Sequence, residues 1–217
     1  MANYQDTYIH RDIAALFPNR NQVNFRRFIS MLGCLSGQVL NRSDVARALE
    51  IGDPTVAQYL TIAEGTFLWR QLTSYENNIT KSVVKMPKGH LRDTGLLHYL
   101  LRLNEHSVLM SDPIVRKSFE SFVIEELMKG LQDAGVVNVD AHYYRTYKGA
   151  EIDLILQGSF GTLPIEIKYG STVQRRQLRS LQSFVEAHQL PFGVLINQAE
   201  QVKWLTERII QIPAGLL

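Results

Sequence analysis

The sequence predicts an α+β chain of two domains: a helical, winged-helix-like domain over residues 1–110 and an α/β domain over 111–217. Three observations predict it. Apolar residues recur at three- and four-residue spacing through the first half, as on one face of a helix. The second half interleaves helical patterns with short β-rich runs such as Ala150–Leu156 and Leu163–Lys168. And 217 residues suit two units, since domains commonly hold about 100–200 residues.

With 45% hydrophobic and 20% charged residues the chain can bury an ordinary globular core. Its formal charge of +2 is too small to announce a nucleic-acid binder. The first 110 residues hold 12 Lys and Arg against 9 Asp and Glu, the rest 11 against 12, as expected if some later acids are grouped for a cation. A single cysteine, Cys34, excludes an internal disulfide and suits a reducing compartment. No signal peptide and no apolar run long enough for a membrane span is visible, so a cytoplasmic location without membrane contact is expected.

Helices are expected over Tyr4–Leu16 and Asn24–Gly33, the second capped by Asn24 and striped with Phe25, Phe28, Ile29 and Leu32. Cys34 and Leu35 continue it, which makes Cys34 a small core residue. Ser43 is the expected cap of a short helix with Val45, Ala46 and Leu49 inward. Asp53-Pro54 opens another with Val56, Leu60 and Ala63 inward. Two short helices joined through Gly52 form a helix-turn-helix. Extended runs at Phe67–Leu72 and Val83–Met86, with a turn at Glu76-Asn77-Asn78, add the hairpin of a winged helix.

The second helix of such a motif reads DNA from its exposed N-terminal side chains. Those are Thr55, Gln58 and Tyr59. No Arg or Lys lies between Asp53 and Thr66, so the usual phosphate- and guanine-binding groups are missing there. A scaffold role for this domain stays open beside DNA binding. Asp93 reads as the cap of a helix over Leu96–Leu103, His98 as a core or boundary histidine, and Asn104–Pro113 as the domain boundary.

From Ile114 the expected order is a helix (Val115–Leu131), strands His142–Thr146, Ala150–Leu156 and Leu163–Lys168, a helix Val173–Ala187, and a final strand Phe192–Ile196. Residues two apart in a strand share a face, about 6.6–6.8 Å apart. Ile152, Leu154 and Leu156 then point inward and Glu151 and Asp153 outward; Ile165 and Ile167 point inward and Glu166 and Lys168 outward. A hairpin over the two-glycine loop lets Asp153, Glu166 and Lys168 converge. Two close carboxylates repel unless a cation lies between them, and Mg²⁺ or Mn²⁺ would take one oxygen from each, with the Ile167 carbonyl as a third ligand. Lys168 would position water or stabilise a phosphorane-like transition state, and Glu120 on the preceding helix would complete or orient the shell. The bland alternative is surface charge at a strand end.

Ile152-Asp153 … Glu166-Ile167-Lys168 resembles the core motif of the PD-(D/E)XK nuclease superfamily, with Ile152 where a proline is usual. The whole chain resembles the C-terminal region, a domain of unknown function, of predicted bacterial and archaeal AAA+ ATPases. The resemblance rests on Arg11-Asp12-Ile13, residues 41–64, Asp93-Thr94-Gly95-Leu96-Leu97, Phe119-Glu120-Ser121-Phe122-Val123, Tyr143-Tyr144-Arg145-Thr146 and Gly149-Ala150-Glu151-Ile152-Asp153-Leu154. It implies catalytic roles for Asp153, Glu166, Lys168 and Glu120, metal binding by Asp153 and Glu166, and an ATPase core upstream in the parent protein. No Gly-x-x-x-x-Gly-Lys-Ser/Thr loop occurs in the chain, so no ATP-binding residue is assigned. The start directly into a helix favours a fragment over a stand-alone form.

Further candidates flank the motif. Arg145 either clamps a phosphate or shields the acids. Lys148 is a loop lysine or a backbone contact. Arg175, Arg176 and Arg179 form the densest basic run, either bordering a DNA groove or lying on a solvated face. Gln177 and Gln182 both qualify as an auxiliary glutamine. The expected function is metal-dependent DNA hydrolysis or DNA binding; the rival is an inactive nuclease-fold scaffold for protein or DNA interaction.

Overall fold

The computed structural model describes residues 21–75 and 83–217. The helix expected over Tyr4–Leu16, the stretch Arg11-Asp12-Ile13 and the turn at Glu76-Asn77-Asn78 lie outside the described residues. The fold is α+β. The chain divides into two compact units, Met1–Gln71 with Gly89–Ser118, and Leu72–Lys88 with Phe119–Leu217. A single cut near residue 110 leaves Leu72–Lys88 with the first unit, whereas by contacts that segment groups with the second. Main-chain pairing carries that segment into the second unit: the Tyr75 N–H donates to the Tyr143 carbonyl at 2.7 Å, and the Val84 N–H to the Arg145 carbonyl at 2.8 Å.

In the first unit α1 (Gln22–Leu35) is followed by β1 (Gln38–Val39), α2 (Arg42–Leu49), α3 (Asp53–Gly65), β2 (Trp69–Ser74, whose last residues enter the second unit), β3 (Lys88–Leu91), α4 (Thr94–Leu100) and α5 (His106–Ser111). The caps fall slightly before those expected. Asn21, not Asn24, caps α1, accepting from the Asn24 N–H at 3.0 Å. Asn41, not Ser43, caps α2 through the Ser43 N–H. Asp93 caps α4 as predicted, accepting from the Leu96 N–H at 2.7 Å. The strand expected at Val83–Met86 instead forms at Lys88–Leu91, and Asn104–Pro113 contains a helix.

The α2–α3 pair packs on α1 through Val45, Leu49, Val56 and Leu60. Tyr59 belongs to this core. Its ring lies edge-on to Phe25 at 5.1 Å and near Phe28 at 5.4 Å. Cys34 goes the other way: it is exposed, because the buried stripe of α1 runs through Phe28, Ile29 and Leu32 and the next turn rotates Cys34 outward. His98 is half-buried and shares a 2.7 Å hydrogen bond with the Ser118 hydroxyl, a boundary histidine as expected.

The second unit is a mixed sheet flanked by helices. After α6 (Ile114–Asp133) come β4 (Asp140–Arg145), β5 (Glu151–Gly158), β6 (Gly161–Lys168), a 3₁₀ turn over Arg175–Leu178, α7 (Arg179–Ala187), β7 (Gly193–Asn197), β8 (Lys203–Trp204) and β9 (Ile209–Pro213). Their order is β4-β5-β6-β7-β9-β8, with Thr73 and Ser74 of β2 on the outer side of β4. Strand β7 is not the last, as the sequence suggested. Ile209–Pro213 pairs with it in parallel.

β5 and β6 form a hairpin closed by Ser159-Phe160, with Gly158 opposite Gly161. Gly161 takes φ +92°, a conformation costly for a residue with a Cβ. β5 is not a simple alternating strand. His142 pairs with Ile155 and Tyr144 with Ile152, so Tyr143 faces two residues, Asp153 and Leu154. This bulge brings Ile152 and Ile155 into one core with Leu178, Leu181 and Phe184. The expected inward row of Ile152, Leu154 and Leu156 is thereby corrected.

Tyr59→Ala is expected to lower unfolding stability by about 3–5 kcal/mol, as truncation of a large buried aromatic does, and Tyr59→Phe by no more than about 1 kcal/mol. Urea denaturation followed by circular dichroism measures both; a Tyr59→Ala protein as stable as the parent would show that the ring is not core.

Candidate functional site

Six ionisable groups meet in the second unit. Asp153 comes from the bulge in β5, Glu151 from its start, Glu166 and Lys168 from the end of β6, and Glu120 from α6. The sixth is Lys88, which the sequence did not single out. The hairpin brings Asp153 beside β6, where Oδ2 accepts from the Ile167 N–H at 2.8 Å. That bond fixes the carboxylate. The Lys168 ammonium lies 3.6 Å from the same oxygen and in direct contact with Glu166 Oε1. The structure thus brings Asp153, Glu166 and Lys168 together.

Lys88 enters from the segment that left the first unit. The buried Tyr143 hydroxyl donates to the Met86 and Val84 carbonyls, and Val83 bridges Thr146. So tethered, the chain delivers the Lys88 ammonium 2.8 Å from Glu120, 3.0 Å from Glu151 and 3.8 Å from Asp153. Phe119, next to Glu120, packs edge-on to Tyr169, next to Lys168, at 5.6 Å. Helix and strand end are held in register by that contact.

Burial dominates the electrostatics. It raises the Glu166 pKa from 4.5 to about 8, with Asp153 adding repulsion and Lys168 opposing. Glu120 rises to about 7 for the same first reason, moderated by Lys88. Burial alone would lower both lysines, but the surrounding carboxylates overcome it and hold both above the ordinary lysine value. Glu166 Oε2 is buried and has no hydrogen-bond partner among the described residues. An orphaned carboxylate oxygen is costly unless something binds it. With oxygen donors only, the Asp153–Glu166 side suits a hard divalent ion such as Mg²⁺ or Mn²⁺. Among the described residues no group of three or more His, Cys, Asp or Glu side chains is placed to hold a metal ion as the structure stands; Glu120, Glu151 and Asp153 gather on the Lys88 ammonium instead.

The other candidates separate. Arg145 lies at the rim, its Nε 3.9 Å from Glu151 and its side chain half exposed, which favours shielding of the acids. Arg175, Arg176, Arg179 and Lys148 are exposed. Gln177 is committed to a capping box, accepting from the Gln174 N–H at 2.7 Å. Gln182 lines an open groove with Glu186, Thr206 and Arg208, none of which belongs to the acid cluster. On α3, Thr55 is half-buried and Gln58 exposed. Tyr59 is 1% exposed and cannot reach a groove of DNA: its position on the inner stripe beside Val56 and Leu60 removes it from the reading face. Lys88 left no local signal, being 32 residues from its nearest acid partner in sequence.

Residues 1–107 match the family described as Domain of unknown function (DUF8612), and residues 116–217 the family described as Domain of unknown function (DUF4143). It is also 32% identical over 211 residues to two uncharacterized proteins, Mb2031c of Mycobacterium bovis and Rv2008c of Mycobacterium tuberculosis. The matches cover 97% of this chain and 46% of each relative, so the chain spans about half their length. Among the described residues no helix is long and apolar enough to cross a membrane.

In EDTA, stability should fall as pH rises from about 4.5 to about 8. The folded protein binds the Glu166 and Glu120 protons more tightly than the unfolded chain, so that stabilisation is full below the unfolded pKa and lost above the folded one. Glu166→Gln should flatten the slope. Urea midpoints measured against pH check this; a midpoint that climbs across the window would contradict it.

Proposed function

We propose that the second unit is a Mg²⁺- or Mn²⁺-dependent DNA phosphodiesterase module of the PD-(D/E)XK type, joined in its parent protein to an AAA+ ATPase core. The observation that carries this reading is the convergence of Asp153, Glu166 and Lys168 on one buried point, with Glu166 Oε2 left without a partner. Asp153 and Glu166 would hold the ion, with the Ile167 carbonyl at hand. The ion would supply an acidified water and charge neutralisation at phosphorus.

The chain's own groups do the positioning. The Ile167 N–H keeps Asp153 Oδ2 aimed. Lys168 carries three donors on a charged head and would stabilise the extra negative charge as water adds to phosphorus. The P–O bond to the leaving sugar oxygen then breaks, and that oxygen takes up a proton. Burial of both acids makes these interactions stronger than they would be in water. Arg175, Arg176 and Arg179, exposed at the start of the next helix, supply phosphate contacts. The unmatched half of the relatives leaves length for an ATPase core.

A second reading has its own observation. Lys88 and Lys168 already neutralise part of the acid charge, as in a nuclease-fold scaffold that binds DNA or protein without cutting. One assay separates the two. The protein is incubated with plasmid and linear DNA plus Mg²⁺ or Mn²⁺. Cutting that drops by at least about 100-fold in Asp153→Ala and in Lys168→Ala supports hydrolysis, the size expected when one transition-state donor is lost. No cutting at any metal concentration favours the scaffold.

DNA binding is measured separately in EDTA by gel shift. Arg175→Ala with Arg176→Ala should weaken binding for all sequences alike and lower the salt slope by about 2. An unchanged slope would move the DNA path elsewhere.

A further inference from the structure

Metal-assisted phosphoryl chemistry uses either one ion or two ions about 3.5–4 Å apart that share a bridging carboxylate. In this site Asp153 is the shared acid, but its two oxygens face different things. Oδ2 turns to the Ile167 N–H and Lys168, on the Glu166 side. Oδ1 turns to the Lys88 ammonium at 3.8 Å.

The ammonium also takes Glu120 at 2.8 Å and Glu151 at 3.0 Å. Only 6% of the Lys88 side chain is exposed. Glu120 and Glu151 lie at hydrogen-bond distance of this buried nitrogen, and Asp153 lies within ion-pair reach of it. They give it the surroundings of a bound cation. Its approach is tethered by the Tyr143 hydroxyl, which donates to the Val84 and Met86 carbonyls. The other side of the cluster is different. Glu166 is 6% exposed, and its Oε2 is partnerless among the described residues.

We propose that the Lys88 ammonium is a resident cation standing where a second metal ion would sit, so that the cluster takes one divalent ion, between Asp153 and Glu166, and not two. This rests on the metal-dependent reading above and assigns Lys88 as a positioning residue for it. Glu120 and Glu151 then serve to hold Lys88 and are not ligands of the ion. Lys88 gives the enzyme a fixed positive charge at the cost of a second ion's capacity to activate or leave.

The test counts ions. The full chain is stripped with EDTA and titrated with Mn²⁺, and free Mn²⁺ is read by room-temperature electron paramagnetic resonance. One Mn²⁺ per chain is expected for the parent and for Lys88→Arg. Lys88→Met should bind two, and adding Glu120→Gln to it should return the count to one. Two further variants do not require Lys88→Met to fold. Glu166→Gln should weaken the single ion by at least about tenfold, the lower end for loss of a group supporting a metal site, while Glu120→Gln should change its affinity by less than about threefold. Two ions in the parent, or equal weakening by Glu120→Gln and Glu166→Gln, would overturn the role of Lys88 and leave the metal-dependent reading standing. No Mn²⁺ bound to the parent at millimolar concentration would overturn that reading itself, and the inference with it.

Discussion

The second unit depends on a lysine ammonium buried among carboxylates. Lys88 touches Glu120 on α6 and Glu151 and Asp153 on β5, so one nitrogen ties a helix, a strand and an incoming segment to the same point. Neither charge sign tolerates this depth alone. An isolated buried ammonium or carboxylate is strongly disfavoured, and removing one partner of a buried pair costs far more than a surface bridge is worth. The arrangement therefore favours one placement of Lys88 and the described residues 83–87 before it. The crossing of this segment from the first unit's sequence into the second unit's fold is a consequence of that charge and of main-chain pairing along β4.

Around this point the backbone supplies the aim. The bulge opposite Tyr143 lets Ile152 and Ile155 share a core while Asp153 turns toward β6. A regular strand would put Ile152 and Ile155 on opposite faces. The same step gives Asp153 a main-chain donor from Ile167. Glu166, with little solvent, holds its proton more tightly than a free glutamate. A site that is dry, anionic and partly unsatisfied is a place where a hard cation gains most.

The first unit shows a helix-turn-helix shape built for packing. Its core is an aromatic cluster of Phe25, Phe28 and Tyr59 beneath α2 and α3. The outer N-terminal face of α3 offers Thr55 and Gln58 but no cation, and Asp53 there lies 3.5 Å from Arg42. Such a face suits a scaffold at least as well as a DNA reader, since phosphate contacts supply most nonspecific affinity.

Local signals in the sequence determined a good deal. Helical periodicity located α1, α2, α3 and α6 to within a few residues, because each buries one stripe and that stripe is written at every third or fourth position. Asp93 as a cap and the glycine-rich hairpin between β5 and β6 were legible because turns and caps demand particular side chains within four residues. The short hairpin loop announced that Asp153, Glu166 and Lys168 would come together, although the bulge, not simple alternation, aims Asp153. What only the tertiary structure decided spans longer distances. Tyr59 inward and Cys34 outward depend on where a stripe meets its neighbour. The bulge depends on β4, β9 on pairing with β7, and Lys88 on acids at least 32 residues away. Sequence patterns record which way a residue faces within its own element; a buried charge chooses its partners in space, and no local period encodes that choice.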